Sequence, residues 1–266
     1  MKLTKKLLPA IGMLMLSTAM MVTSSFAWFS MNTEVVAQNM QVTAKAEQVY
    51  LQIVEGDADF HATDAQTIAT ATNTTEGLTP TAVVKALSQT TKPNDTITAF
   101  DGSDIVWVTA QSDNPGQSNK AGVYQDVTNQ VTDKDDSAYA LLNTFKIRLN
   151  PKTGLQTANG PLRVQTVSIG GTEDSIRDAV SVLVVCGSNA ALYKQSSKGV
   201  FARSGDEYLS ANPFANPNPQ EAGTDPNYVV VSVYVFFDGE HASCTSNNVT
   251  ANAYDVDITF TCASVS

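Results

Sequence analysis

Histidine is nearly missing from this chain. Its 266 residues hold two, His61 and His241. They lie far apart in polar stretches, and neither sits in a His-Glu-x-x-His helix, the pattern that puts two imidazoles on one face to bind zinc. Cysteine is almost as scarce, with Cys186, Cys244 and Cys262 alone. Nothing here supplies a zinc site, so no tightly bound zinc, no other cofactor and no hydrolytic activity are expected. Basic residues are few as well. Sixteen Lys and Arg stand against 26 Asp and Glu, a formal net charge of −10. Such a surface repels nucleic acid and anionic lipid head groups, and neither is expected as a partner. Beyond residue 27 no run is long and apolar enough to span a bilayer. The last residues, Thr261 to Ser266, carry no sorting motif, apolar tail or basic end. No covalent tie to the cell is therefore expected.

The start of the chain is different. Met1-Lys2-Leu3-Thr4-Lys5-Lys6 is basic, Leu7 to Val22 is apolar, and Ser25-Phe26-Ala27 puts small residues at −3 and −1 of an export cut. That is the pattern of a secretory signal peptide over residues 1–27, cleaved between Ala27 and Trp28. A membrane anchor is the competing reading, but Pro9, Gly12, Ser17, Thr18 and Thr23 to Ser25 dilute the run. Contact with the membrane is expected only through the uncleaved signal peptide. Cleavage leaves 13 Lys and Arg against 26 Asp and Glu, a net charge of −13. The mature chain is rich in Thr, Val, Ser and Asn, residues of strands and turns. An extracellular all-β protein follows, with residues 28–266 as one domain.

Ala27-Trp28-Phe29-Ser30-Met31-Asn32, followed by Asn39-Met40-Gln41-Val42, carries a resemblance. It resembles the start of secreted Gram-positive proteins with the SipW-dependent type of signal peptide, the TasA-like and camelysin-like biofilm-matrix proteins. Tyr234 to Glu240, Cys244 and Val256 to Phe260 are similar to the closing strands of that group. Thr144 to Leu149 and Ile176 to Val180 are a weaker match. The matches cover about a third of the chain. The resemblance implies a jelly-roll sandwich, a dedicated signal peptidase, and self-assembly or assembly with related matrix subunits. Some members of the group have been described as metallopeptidases, an activity the missing histidines do not support.

Along the chain, period-two alternation marks the strands. Met40, Val42, Ala44 and Ala46 are even, and Val49, Leu51 and Ile53 are odd. The change of phase near Glu47-Gln48 fits two strands or one bulged strand equally well. Residues 55–137 read as an elaboration of the sandwich. Within them Thr79-Pro80 opens an expected short helix to Leu87, Ile105 to Thr109 reads as a strand, and Asp113-Asn114-Pro115-Gly116 turns. Phe145, Ile147 and Leu149 alternate. Leu162, Val164, Val167 and Ile169 form a strand with a slip at Gln165-Thr166, closed by Gly170-Gly171. Thr172 to Arg177 fits one helical turn. Ala179 to Cys186 and Tyr228 to Phe237 are apolar on both faces, the mark of central strands. Glu207 to Tyr228 reads as a long loop. Tyr254, Val256, Ile258, Phe260 and Cys262 alternate with polar residues. A β-sandwich, jelly-roll-like, with loop and short-helix insertions is the economical architecture.

Other motifs weigh little. Asp101-Gly102-Ser103-Asp104 and Asp133-Lys134-Asp135-Asp136 lack the spacing of a calcium loop and read as charged turns. Asp255 and Asp257 fit a solvent face, or protection of a sheet edge, better than a catalytic pair. Gly170-Gly171-Thr172 lacks the ending of a phosphate loop. If Tyr228–Phe237 and Tyr254–Cys262 form a hairpin, Cys244 and Cys262 lie about 26 Å apart, too far for a bridge. A Cys186–Cys262 bridge across the sandwich and three reduced thiols both remain open.

The expected function is structural: a secreted protein of the cell surface or extracellular matrix that forms fibres. The N-terminal strand, with Met40, Val42, Ala44 and Ala46 on one face, is the expected assembly element. Burying those four side chains is worth roughly 4–6 kcal/mol at about 25 cal/mol per Å². The alternative is a monomeric adhesin or glycan- or protein-binding module using exposed aromatics, with Trp28, Trp107 and Tyr124 as candidates.

Overall fold

The structure is a computed structural model. It describes residues 40–46, 51–60, 68–73, 78–84, 105–110, 124–131, 139–149, 161–209, 228–239, 241, 243–244 and 254–262. The expectations for the signal peptide, the Ala27–Trp28 cut, His61, the acidic turns at 101–104 and 133–136, the turn at 113–116 and most of the long loop lie outside the described residues.

Period-two alternation does its work where one face is polar. β13 (Tyr254–Cys262) buries Tyr254, Val256, Ile258, Phe260 and Cys262 and turns Asp255, Asp257 and Thr259 outward. It lies inside a four-stranded sheet. Its neighbours are β1 (Met40–Ala46), which runs parallel to it, and β8 (Leu162–Gly171). β3 (Ile68–Asn73) flanks β1 on the other side, antiparallel. The expected slip in β8 is a bulge: Thr259 faces Thr166 and Phe260 faces Val164, which leaves Gln165 over.

The second sheet has six strands, all antiparallel to their neighbours. In order they are β11 (Val200–Gly205), β10 (Asn189–Ser197), β9 (Val180–Cys186), β12 (Val229–Phe237), β7 (Leu141–Leu149) and β2 (Leu51–Glu55). The phase change after Ala46 therefore separates two strands in two different sheets. The inner faces meet in one core. Val42, Ala44, Val256 and Ile258 come from one side; Phe145, Ile147, Val182 and Val233 come from the other. The fold is an all-β sandwich.

Why β9 and β12 are apolar on both faces is explained by a third layer. β4 (Ala82–Val84), β5 (Val106–Ala110) and β6 (Tyr124–Asp126) form a small sheet, followed by a helical turn, α1 (Thr128–Val131). Val83, Trp107, Val127 and Val131 from this layer pack on Leu183, Leu192 and Phe236, on the outer face of the large sheet. Thr81 pins it there. Its N–H donates to the Phe237 carbonyl at 3.0 Å, its carbonyl accepts from Gly239 at 3.0 Å, and its hydroxyl donates to the Tyr139 carbonyl at 2.9 Å.

Two expectations are corrected. The helix opening at Thr79-Pro80 is absent: Ala82 to Val84 is a strand paired with β5. Val83 and Val84 are β-branched and pair in a ladder there, and Val83 joins the core, which outweighs the local capping signal. Nor do Tyr228–Phe237 and Tyr254–Cys262 pair as a hairpin. β12 lies between β9 and β7, and β13 lies in the opposite sheet, where Tyr254 meets Phe237 across the core with ring centroids 6.1 Å apart. Both strands are buried on one side by the other, which alternation alone does not distinguish from pairing.

The β8–β9 crossover is tied to both sheets. One helical turn, Ile176–Ala179, forms two residues beyond Asp174. Asp174 accepts the Arg177 N–H at 2.9 Å and the Tyr254 hydroxyl at 2.8 Å. Arg177 Nη2 donates to the Ile169 carbonyl at 2.7 Å, and Gln195 Nε2 donates to the Arg177 carbonyl at 2.6 Å.

Candidate functional site

The four residues expected on the assembly strand all lie in the core of their own chain. Met40, Val42, Ala44 and Ala46 are buried, while Gln41, Thr43 and Lys45 are half-buried on the outer face. No Pro or Gly interrupts the strand, and its alternation matches the pleat. Val42 faces Val256 on one side and Ala71 on the other. The inner residues of β3, Ala69 and Ala71, are small, and β1 itself narrows from Met40 to Ala46. On the outer face Lys45 Nζ sits 3.1 Å from Asp257 Oδ2, with both side chains partly exposed. Asp257 therefore belongs to a solvent face on an interior strand; it guards no edge.

This geometry has a chemical consequence. β1 holds its place through two ladders, to β3 and to β13, and one apolar face. Without it, β3 and β13 would bound a groove floored by core side chains, with unmatched N–H and C=O groups on both walls. An identical strand from another copy would satisfy the same groups.

The three thiols are all buried, and none is in a disulfide. Cys186 and Cys262 lie at one end of the sandwich. Leu209 links their neighbourhoods: its N–H donates to the carbonyl of Leu162, which faces Cys262, and its carbonyl accepts from Asn189, which faces Cys186. Cys244 lies at the other end, beside Asp238. The separation of Cys244 from Cys262 thus survives although the hairpin does not. Burial pushes the Cys186 thiol up to about 11. Burial, with the Asp238 charge added, pushes Cys244 up to about 12. Neither is a nucleophile at neutral pH.

The expected ligand-facing aromatic Trp107 is corrected: it is 3% exposed and packs against Phe236 and Tyr234. Trp28 and the Tyr124 side chain lie outside the described residues. His241 donates its N–H to the Asp238 carbonyl, and its Nδ1 accepts from the Ser243 N–H at 3.2 Å, as part of a turn. Among the described residues no group of three or more His, Cys, Asp or Glu is placed to hold a metal ion. No described helix is long and apolar enough to cross a membrane. Gly170 and Gly171 end β8 opposite Asp255 and Tyr254, with Gly171 at φ 89°.

Sequence reasoning missed β3 and the β10–β11 hairpin. β3 reads Ile-Ala-Thr-Ala-Thr-Asn, and its alternation of Ala with Thr is too faint to stand out. The hairpin had a signal. Gly187 and Gly199 both take positive φ in the turns that flank β10, and Ala190, Leu192 and Tyr193 supply apolar residues between them.

Comparison with protein families, with characterised proteins and with solved structures finds no match to this chain.

Proposed function

We propose that this is an exported structural subunit of the cell surface or extracellular matrix, which assembles into fibres by donation of its N-terminal strand. The observation that supports this reading is the place of β1, held between β3 and β13 by ladders that the same strand of a second copy would be able to form. The basic, apolar and small-residue order of residues 1–27 supports export, and the resemblance of residues 27–42 to matrix proteins supports the setting. Copies that exchange β1 head to tail do not close on themselves and extend as a filament. Partners are then other copies or related matrix subunits, and a signal peptidase that frees Trp28.

The test removes residues 28–46 from the mature protein. The shortened chain is expected to form no filaments by negative-stain electron microscopy. A peptide of residues 28–46 added in trans is expected to restore its thermal transition. Filaments of the same repeat from the shortened chain would overturn the reading.

A further inference from the structure

Lys146 and Arg148 stand two residues apart on β7 and share the outer face of the large sheet, beyond the part covered by the third layer. Arg148 is only 6% exposed. Its Nε–H donates to Gln52 Oε1 at 2.7 Å, and its guanidinium lies over the Phe60 ring, 4.2 Å from the centroid. No carboxylate among the described residues pairs with it. Two other cations with buried or half-buried side chains do have one: Arg177 lies 3.5 Å from Glu173, and Lys194 lies 2.9 Å from Asp238. Arginine keeps its charge at physiological pH, and a buried cation without a counter-charge is costly. Such a cost is characteristic of a group waiting for an anion.

The surroundings narrow the ligand. Phe60 and Tyr228 are half-buried, with ring centroids 6.1 Å apart and planes at 45°. Lys146 Nζ lies 5.5 Å over the Tyr228 ring and donates to the Ala58 carbonyl at 3.4 Å. Asp57 and Asp59, both exposed, flank Ala58. Two aromatic rings beside two cations suit a ring with an apolar C–H face and a carboxylate. The chain's net charge of −10 disfavours long polyanions, so the fit is to a short or sparsely charged chain.

We propose that this face binds a short acidic saccharide, with Arg148 receiving the carboxylate and Phe60 and Tyr228 flanking the sugar ring. It requires no fibre assembly and stands apart from that reading.

The experiment titrates the full chain with tetragalacturonic acid by calorimetry. Two controls run beside it: the same oligosaccharide with its carboxyls reduced to alcohols, and a glutamate-rich peptide. Binding of the acidic sugar is expected to weaken with salt. Arg148→Gln and Phe60→Ala are each expected to weaken it at least ten-fold while circular dichroism stays that of the wild type. If Arg148→Gln does not fold, Lys146→Gln and Tyr228→Ala, at half-buried positions, carry the same expectation. No binding by the wild type overturns the proposal. So does equal binding of the reduced sugar or of the peptide, or unchanged affinity in the folded variants.

Discussion

The Trp107 indole meets the Phe236 ring edge-on, with centroids 5.0 Å apart and planes at 82°. This contact joins the third layer to the sandwich, for Phe236 belongs to a central strand and Trp107 to the middle strand of the small sheet. Thr128 Oγ1 accepts the Trp107 N–H of the backbone at 2.9 Å and keeps β5 in place against α1.

Trp107→Ala is expected to destabilise the protein by about 3–5 kcal/mol, the range for large aromatic truncations in a core. Urea unfolding followed by far-UV circular dichroism measures it. A loss below about 1 kcal/mol would mean that the third layer adds little to the sandwich.

Tyr254→Phe keeps the ring against Phe237 and removes the hydroxyl that donates to both carboxylate oxygens of Asp174 at 2.8 Å. The expected cost is about 1.5–3 kcal/mol, as for hydrogen bonds to charged groups. Thermal melting of the two proteins checks it, and an unchanged melting temperature would contradict the assignment.

Alkali should unfold this protein earlier than its carboxylates would suggest. Cys186 and Cys244 hold their protons to about 11 and about 12, against an ordinary value of 9.0. The folded state therefore binds more protons than the unfolded state above pH 9. Stability is full below that and falls as pH rises through 9 to 12. By pH 10.5 the loss is about 2 kcal/mol per thiol, at 1.36 kcal/mol per pH unit. Urea midpoints at pH 8 and pH 10.5 measure it. A midpoint that does not move would refute it.

Thiol counting addresses the cysteines directly. Protein unfolded without reductant is expected to label at all three thiols, and native protein at pH 8 at none. A count of one in the unfolded chain would place Cys186 and Cys262 in a bridge.

Lys45→Ala is expected to cost no more than about 0.5 kcal/mol, because the pair with Asp257 lies at the surface, partly exposed and screened. The measurement is a urea midpoint at low and high salt. A larger effect would show that the outer ion pair helps to hold β1.

Strands with one wet face were legible: Tyr254 to Cys262 alternates cleanly, and even the extra residue Gln165 in β8 left its mark as a slip. Central strands were legible as apolar on both faces, although the reason, a third layer over Leu183 and Phe236, was not. Which strand lies beside which was not legible. Tyr228–Phe237 and Tyr254–Cys262 follow one another and are both apolar, yet they face each other across the core. Partner choice depends on the summed packing of distant segments, which no local window carries. The parallel pairing of Met40–Ala46 with β13 shows the same limit. At the candidate sites, the buried face of β1 was readable from its period, whereas Arg148 and Phe60 come together only through folding.

Synthesis runs in one direction, and the pairing of β1 with β13 makes that direction matter. Val42 is made more than 200 residues before its partner Val256. Throughout that interval the four-stranded sheet lacks the strand that joins β1 to β8. The four-stranded sheet is therefore the last part of the sandwich to receive all its strands. A messenger cut short before codon 254 yields a chain whose six-stranded sheet has all its strands while β1 and β8 lack the strand between them.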